Sequence, residues 1–410
     1  MDFNKYYNGI AALYLVGMLT GCSGPITADL KDEYAIGNKP TVVSSLSVPN
    51  GDEPQSVVIF DKTVRRIHQF DVRNMRHVRS LEVRNAADEH FVLYDQPGNY
   101  VVDLSAKGLS IFNKNGQANH QPIRFQGKPK SAAFDPANGN LIVYDDLMSV
   151  GMVKLSGSGE VLMAGVFGPV ISGKTIASGD LSASGKLILA MSDASIVVVD
   201  VAQTLSLQGW VFTQYATGLT DIRWVAPLPK MPSQILVRTA SKIALLDVNT
   251  QSTLGSYDVS EKVVKLSKFN DPHVLLRDGN KLIIVYADNS TLKSKTLYLT
   301  TGVWDVHSIL SSNLDLAKNT WSMVDTQKIV SSIFNDLDES RVERSFKRYR
   351  FNDLLAYDNK VVPGDTQIEV GQNFIFALWP SQLGLAVRYD IDSNQTLRAE
   401  AFNKSYIPAN

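Results

Sequence analysis

Residues 182–202 read SASGKLILAMSDASIVVVDVA. Two short apolar runs, LILAM and IVVV, are separated by a polar turn, and Gly, Ser or Asp bounds each run. Apolar runs of this length between turn residues are typical of β-strands. From about residue 41 onward the same texture continues, with turn clusters every 8 to 12 residues. The sequence therefore predicts an all-β fold.

An apolar strand that runs into a polar turn recurs along the chain, and its spacing indicates which all-β fold is present. The first five gaps between these units are 40 to 47 residues long, and the sixth is 103. A period near 40 to 47 residues with several strands in each unit is typical of a propeller blade. The last strand residues before the turns are Phe70, Phe112, Leu155, Val199, Leu246, Tyr286 and Tyr389.

A further unit around Phe346 would divide the long gap into 60 and 43 residues. The prediction is then an eight-bladed β-propeller over residues 41–402, with seven blades as the alternative because the first and seventh units are the least regular. The extra length in the gap of 60 residues is assigned to an inserted amphipathic helix at about 325–338, where apolar residues fall at helical spacing. That apolar stripe either packs on its own blade or docks on another protein. The predicted partner-binding residues in and after this helix are Ile329, Ile333, Phe334, Leu337, Arg344, Lys347 and Arg348.

The fourth unit, residues 179–209, resembles a blade of the WD-repeat family. Its SASGKLILAMSDASIVVVDVA is similar to that family's S-x-D-G-K-x-L-A-x-x-S-x-D-x-x-I-x-V-W-D pattern. Val199 stands where the family usually has Trp, and the family's Gly-His pairs are missing. The resemblance implies the blade type without indicating a subfamily.

The N-terminus carries a short apolar stretch, residues 10–19, that ends in Leu19-Thr20-Gly21-Cys22. Such a stretch is too short for a membrane span but fits a secretory signal. LTGC resembles the lipobox of bacterial lipoproteins. This implies a signal peptide at 1–21, lipid on Cys22 and a tether at 22–40, and Ser23 resembles an outer-membrane sorting signal. The alternative is an ordinary N-terminal helix with a buried free cysteine.

Residues 168–175, GPVISGKT, match the phosphate-binding pattern G-x-x-x-x-G-K-[ST]. A functional loop of this kind needs a helix that begins at the Lys-Thr pair, because the amide groups at its N-terminus bind the phosphates. The following residues, IASGDLSASGKLILA, have no helical periodicity. We therefore predict that the match arose by chance, that IVVVD (196–200) is a blade strand, and that the chain binds no nucleotide.

No other pattern predicts a catalytic residue, cofactor or metal site. Basic and acidic residues number 40 and 41, so net charge gives no reason to expect nucleic acid. The basic segments 62–84 and 341–350 either form one sector that meets an anionic partner or are solvated outer strands, which we favour. The six histidines lack metal-ligand spacing, although a site shared between blades stays open. They are His68, His77, His90, His120, His273 and His307.

The combination of anchor, tether and propeller resembles, in architecture, the propeller lipoproteins of the outer-membrane β-barrel assembly machine. This resemblance implies a periplasm-facing, non-catalytic scaffold that organises a multiprotein envelope complex, such as a β-barrel assembly, secretion or pilus machine. The alternative is an enzyme or ligand-binding propeller that acts on a glycan or small molecule at its central channel. Residues 403–410 are expected to form a C-terminal tail.

Overall fold

The computed structural model consists mainly of β-strands. The residues that it describes are 40–42, 56–61, 65–71, 76–83, 90–95, 100–105, 108–113, 115–121, 127, 129–135, 138–145, 147–268, 271–279, 281–298, 309–317, 319–325, 328–334, 347–350, 367–370, 374–379, 385–390 and 395–401. Cys22, the predicted signal peptide and the predicted C-terminal tail lie outside these residues, as does nearly all of the predicted tether. Within the described part of the chain, no helix has the length and apolar character that crossing a membrane requires.

The described strands form eight four-stranded antiparallel sheets, each built from four consecutive strands. We number these sheets as blades 1 to 8 in chain order. Blades 1 to 4 contain β1 (Pro40–Val42), β2 (Ser56–Asp61), β3 (Arg66–Asp71), β4 (Arg76–Glu82); β5 (His90–Asp95), β6 (Tyr100–Ser105), β7 (Gly108–Phe112), β8 (Ala118–Gln121); β9 (Pro129–Asp135), β10 (Asn140–Asp145), β11 (Val150–Leu155), β12 (Val161–Phe167); β13 (Ile176–Leu181), β14 (Lys186–Met191), β15 (Ser195–Asp200) and β16 (Phe212–Ala216).

Blades 5 to 8 follow the same pattern, and no described strand from one end of the chain joins a sheet at the other end. Their strands are β17 (Trp224–Leu228), β18 (Met231–Arg238), β19 (Lys242–Asp247), β20 (Ser252–Asp258); β21 (Lys262–Ser267), β22 (His273–Asp278), β23 (Lys281–Asp288), β24 (Thr291–Tyr298); β25 (Ile309–Asp315), β26 (Thr320–Asp325), β27 (Lys328–Ile333), β28 (Lys347–Arg350); β29 (Gln367–Val370), β30 (Phe374–Trp379), β31 (Leu385–Asp390) and β32 (Gln395–Ala401).

The eight sheets form a closed ring. Buried apolar clusters join blade 1 to blade 2 and every following pair as far as blades 6 and 7. The first strands β25 and β29 connect blades 7 and 8, and β29 contacts β1 to close the ring. The architecture is therefore a β-propeller with eight blades among the described residues, as the period of the sequence predicted.

The core lies between neighbouring sheets, which explains the continuous apolar runs in the sequence. In blade 4, Leu187 and Leu189 of β14 pack toward blade 3, whereas Ile188 and Ala190 pack toward blade 5. Since side chains alternate along a strand, a sheet covered on both faces needs apolar residues at every position. For this reason the middle strands lack the polar–apolar alternation of a half-exposed sheet.

The repeat units were predicted correctly in seven of the eight blades. The seven residues that end the predicted units all lie in the third strand of their sheets; they are Phe70, Phe112, Leu155, Val199, Leu246, Tyr286 and Tyr389. In blade 7, however, the third strand is β27, so the unit around Phe346 was assigned one strand too late and the inserted helix at 325–338 was wrong. Ile329, Val330 and Ile333 are β-branched residues that favour strands, although their spacing along the sequence also matches that of a helix.

A short helix does occur, but it lies in blade 4. Helix α1 (Val201–Leu207) connects β15 to β16, and it contacts β11 and β12 of blade 3. The carboxylate of Asp200 accepts the amide hydrogen bond of Gln203 at 2.9 Å and caps the first turn. Gln208, in the left-handed conformation at φ 50°, ends the helix. The buried Val201 and Leu205 attach α1 to the core between blades 3 and 4.

Candidate functional site

The GPVISGKT segment is a turn between two blades. It connects β12 to β13, so a strand follows Thr175 where a phosphate-binding loop requires a helix. The ammonium group of Lys174 forms an ion pair with Asp193, which also accepts a hydrogen bond from the hydroxyl of Ser195 at 2.7 Å. The hydrogen bond from Lys174, followed by that from Ser195, lowers the pKa of Asp193 to about 2. The lysine that would contact a phosphate is therefore engaged inside its own blade.

The acidic residue that ends IVVVD also has a structural role. IVVVD belongs to β15, the third strand of blade 4, as the repeat pattern predicted. Asp200 accepts the amide of Gln203 as the cap of α1, and its own amide donates to the carbonyl oxygen of Val211 at 2.9 Å. Both elements of the apparent nucleotide site thus stabilise the propeller.

An ion pair joins the inner parts of two blades that are not neighbours in the ring. Lys268, which follows β21 of blade 6, lies 2.8 Å from Asp180 in β13 of blade 4. The first strand of blade 5, β17, lies between these two blades, and all five of its residues are buried. In a propeller the first strands line the channel. The cation and the anion at this mouth of the channel therefore neutralise each other, and β17 presents no exposed side chain to a ligand.

A second feature near the axis is the hydroxyl of Tyr144, in β10 of blade 3. The ring extends toward blade 4, and a Cβ atom at Gly179 would lie 2.6 Å from its oxygen, so only glycine leaves space for it. The hydroxyl oxygen is buried and makes no hydrogen bond to the described part of the protein. Burial, together with the negative charge of Asp180, raises the pKa of Tyr144 well above its usual value. The phenol is therefore neutral and has its donor available.

The turns between the first and second strands are linked from blade to blade on one face of the ring. The ammonium group of Lys230 in blade 5 donates to both carboxylate oxygens of Asp271 in blade 6, at 3.0 and 2.9 Å. The same carboxylate accepts the amide of Leu316 in blade 7 at 2.6 Å. Three blades are thereby held together by one acidic residue, which is 7% exposed.

The arrangement next to this carboxylate has the residue types of a nucleophile and a base. Nε2 of His273 lies 2.8 Å from the hydroxyl oxygen of Ser312, and Nδ1 lies 2.9 Å from the backbone oxygen of Asp271. Both side chains are almost completely buried, at 0% and 1% exposure, so a substrate has no access to them. Burial also lowers the pKa of His273 to about 4. We interpret the pair as a cross-link between blades 6 and 7.

Two other histidines form hydrogen bonds with serines inside a single blade. Nδ1 of His68 lies 2.9 Å from the hydroxyl oxygen of Ser80, and Nδ1 of His120 lies 2.8 Å from that of Ser110. Among the described residues, no group of three His, Cys, Asp or Glu side chains is arranged to hold a metal ion. The side chains of His77, His90 and His307 are not among those that the structure describes.

The predicted partner-binding residues do not form one exposed helix face. Phe334 is 2% exposed and packs in the core between blades 6 and 7, with its ring centroid 5.2 Å from that of Tyr286. Lys295 donates to its backbone oxygen at 2.5 Å, and the ammonium lies 4.8 Å from the ring centroid. Ile329 and Ile333 belong to β27, Lys347 and Arg348 belong to β28, and Leu337 and Arg344 lie outside the described residues.

An exposed apolar surface that the sequence reading missed lies between blades 3 and 4. It comprises Leu162 and Met163 of β12, Leu207 at the end of α1 and Phe212 at the start of β16, with 38% to 69% of each residue exposed. We call these four residues the rim groove. A signal was present in the sequence, because residues 161–173 and 201–220 contain no charged residue in a chain that is 20% charged.

The comparisons with known proteins support the architecture alone. Neither a protein-family model nor a curated protein matches the chain. Among solved structures, the chain is similar to the dihydro-heme d1 dehydrogenase NirN in complex with DHE, with a TM-score of 0.58 and 11% identity over 89% of this chain and 78% of that one. It is also similar to Hsv2 of Kluyveromyces lactis, with a TM-score of 0.47 and 11% identity over 89% and 100% of the two chains. The chain is an all-β propeller protein.

Proposed function

We propose that this protein is a non-catalytic scaffold lipoprotein of the bacterial envelope. It binds its partners through the outer surface of the propeller. The observation that carries the proposal is the contrast between axis and rim. At the axis Lys268 and Asp180 bind each other, whereas the rim groove exposes apolar side chains without a described partner. Exposed apolar patches on soluble domains mark interaction sites.

The remaining parts of the proposal rest on the sequence. The lipobox-like LTGC at residues 19–22 supports lipidation of Cys22, and Ser23 supports an outer-membrane, periplasm-facing location. A ring whose turns are linked from blade to blade, as by Asp271, suits a rigid scaffold. The partner belongs to an envelope complex such as a β-barrel assembly, secretion or pilus machine, and no nucleotide or nucleic acid takes part.

The test is mild crosslinking in intact cells, followed by affinity purification from detergent-solubilised membranes and mass spectrometry. The wild type is compared with Cys22→Ala, which removes the anchor, and with Leu207→Lys, which places a charge in the rim groove. Deletion of residues 325–338 is unsuitable because it would remove β27. We expect stoichiometric envelope partners that depend on the anchor. A wild type that is recovered alone would overturn the scaffold proposal.

The second candidate is a ligand-binding or enzymatic propeller that acts on a glycan or another small molecule at the channel. The similar structure of NirN is a complex with DHE, and this supports a search for a small molecule bound to the present protein. Native mass spectrometry of protein purified from its own cells tests this candidate. A bound small-molecule mass would favour it, whereas ligand-free protein would argue against it.

A further inference from the structure

Among the residues that the structure describes, exposed large apolar side chains are concentrated between blades 3 and 4. In the described part of the chain, seven large apolar residues are exposed, and four of them form the rim groove. Ala164 and Val166 of β12 pack toward blade 2, while Phe167 packs toward blade 4. Because side chains alternate along a strand, Met163 also faces blade 4, where α1 lies.

Phe212 approaches the same groove from the other side. Tyr215 of β16 packs in the core between blades 4 and 5. The two positions are three apart, an odd number, so Phe212 is on the opposite face of β16 and points toward blade 3. Leu207 lies between these strands at the end of α1, with 69% of the residue exposed. The next residue, Gln208, reaches the backbone of β12, since its Oε1 would lie 3.6 Å from a Cβ at Gly165.

The rim groove borders a strand edge that carries neither a charged residue nor a proline. β12 is the outermost strand of blade 3, and no described strand pairs with its outer edge. Its sequence VLMAGVF has no charge and no proline, whereas β24 carries Lys293 and Lys295 and β4 carries Arg76 and Arg79. Exposed strand edges are normally blocked by charged residues, proline or bulges. A bulge occurs at Leu162, and the pairing with β11 is regular from Met163 to Phe167.

We infer that β12 accepts an extended, uncharged segment of a partner protein as a fifth strand of blade 3. This inference rests on the proposed scaffold function and identifies the surface that it uses. Backbone groups of residues 163–167 pair with the segment, and apolar side chains of the segment cover Met163 and Leu207. Strand addition of this kind derives affinity from main-chain hydrogen bonds and specificity from alternate side chains.

Charge complementarity identifies the class of the occupant. No acidic or basic residue occurs in 161–173 or in 201–220, so a charged segment would lose hydration without gaining an ion pair. Lys154 lies opposite Met163 in the register, but its ammonium group is bound to the backbone oxygen of Asn138. Peripheral binding to an anionic bilayer normally uses several basic residues beside the apolar ones, whereas residues 161–173 and 201–220 contain none. The uncharged surface therefore favours a protein segment over a membrane.

The experiment places a photo-crosslinking amino acid at Met163 or at Leu207 of the full-length protein in its own cells. The matched control is position 254, because Leu254 is 40% exposed on β20, the outermost strand of blade 5. Crosslinked peptides are sequenced by mass spectrometry. A synthetic peptide of the captured segment is then titrated against the purified full-length protein, and amide hydrogen exchange is measured with and without this peptide.

We expect the crosslinks from 163 and 207, but not those from 254, to converge on one uncharged segment of one protein. The peptide should slow exchange at residues 163–167, and Met163→Lys should raise its Kd at least tenfold, whereas Leu254→Lys should change it less than twofold. Crosslinks to lipid, crosslinks to a second copy, or equal crosslinking at 254 would overturn the inference. If the envelope complex persists in Met163→Lys, the scaffold proposal stands and the docking surface lies elsewhere; if the wild type has no partners, the scaffold proposal itself fails.

Discussion

Lys268 and Asp180 form an ion pair of 2.8 Å between blades that are not neighbours. Blade 5 separates them, and its inner strand β17 is buried from end to end. The two side chains are 39% and 23% exposed, so the ion pair is partly accessible to solvent. It therefore connects two blades across the channel mouth while the apolar residues of β17 stay covered.

Replacing Asp180 with Asn should lower the free energy of unfolding by about 1 kcal/mol, the upper range for ion pairs that remain partly solvated. Salt screens such pairs, so the difference from the wild type should shrink at high ionic strength. Urea unfolding at low and high salt measures this effect. The control is Asp221→Asn, which removes a more exposed pair with Arg223 two residues away. Equal effects of the two substitutions would contradict the bridging role.

Stability should fall on mild acidification because His273 is buried as the neutral imidazole. Its pKa is lowered to about 4 in the folded protein, whereas the unfolded chain has a value near 6.5. Above the unfolded value neither state binds a proton, so this histidine makes no pH-dependent contribution. Between the two values only the unfolded chain binds one, so the folded state loses stability, by about 3 kcal/mol in total, as pH falls toward 4.

His273→Asn removes this titration, so its unfolding free energy should depend less steeply on pH between the two pKa values. The substitution should lower stability at neutral pH, because the hydroxyl of Ser312 loses its partner at 2.8 Å. Urea unfolding over a pH series measures both quantities. His120→Asn is the control, because His120 is exposed. An unchanged pH slope in His273→Asn would contradict the assignment.

The fold was largely predictable from the sequence because every blade repeats the same local signal. Where a strand is covered on both faces, as in IVVVD, apolar residues fill consecutive positions, and the turn residues mark its ends. The prediction for KIVSSI was wrong because Ile329, Val330 and Ile333 have the spacing of a helix, although the segment forms β27. Helix α1 was missed although Asp200 and Gln203 have the spacing of a capping box.

The contacts at the axis and the rim could not be predicted. Lys268 and Asp180 are 88 positions apart in the chain, and only the packing of blades 4, 5 and 6 brings them together. The approach of Tyr144 to Gly179 depends likewise on how two blades pack. The rim groove left a weak signal, since the lack of charge in two separate segments gains meaning only when α1 and β12 are seen to adjoin.

Gly179→Ala should destabilise the protein by about 1 to 3 kcal/mol, the usual range for overpacking in a core. The added methyl group would lie 2.6 Å from the hydroxyl oxygen of Tyr144 and 2.7 Å from Cδ2 of Leu189. Gly157→Ala is the matched control, because a Cβ there has no neighbour within 4 Å. Thermal unfolding of both variants measures the difference. A neutral Gly179→Ala would mean that blades 3 and 4 are farther apart than the structure has them.

Tyr144→Phe tests the same contact from the other side. Removing a buried hydroxyl that makes no hydrogen bond should leave stability unchanged or slightly increased. In combination with Gly179→Ala it should restore part of the lost stability, because the oxygen nearest to the new methyl group is gone. A double-mutant cycle gives the coupling energy. If the two effects simply add, the hydroxyl does not determine the need for glycine at this position.

Phe334→Ala should lower the free energy of unfolding by about 3 to 5 kcal/mol, as for other buried phenylalanines. The ring is 2% exposed, contacts Tyr286 edge-on and accepts the ammonium of Lys295 on its face, so truncation leaves a cavity between blades 6 and 7. Leu207→Ala is the comparison, because that side chain is 69% exposed and should change stability by less than about 0.5 kcal/mol. Urea unfolding gives both values, and recovery of envelope partners is measured in parallel. If Phe334 were instead a partner-binding residue, its substitution would remove partners without lowering stability, an outcome that the scaffold proposal assigns to Leu207→Lys.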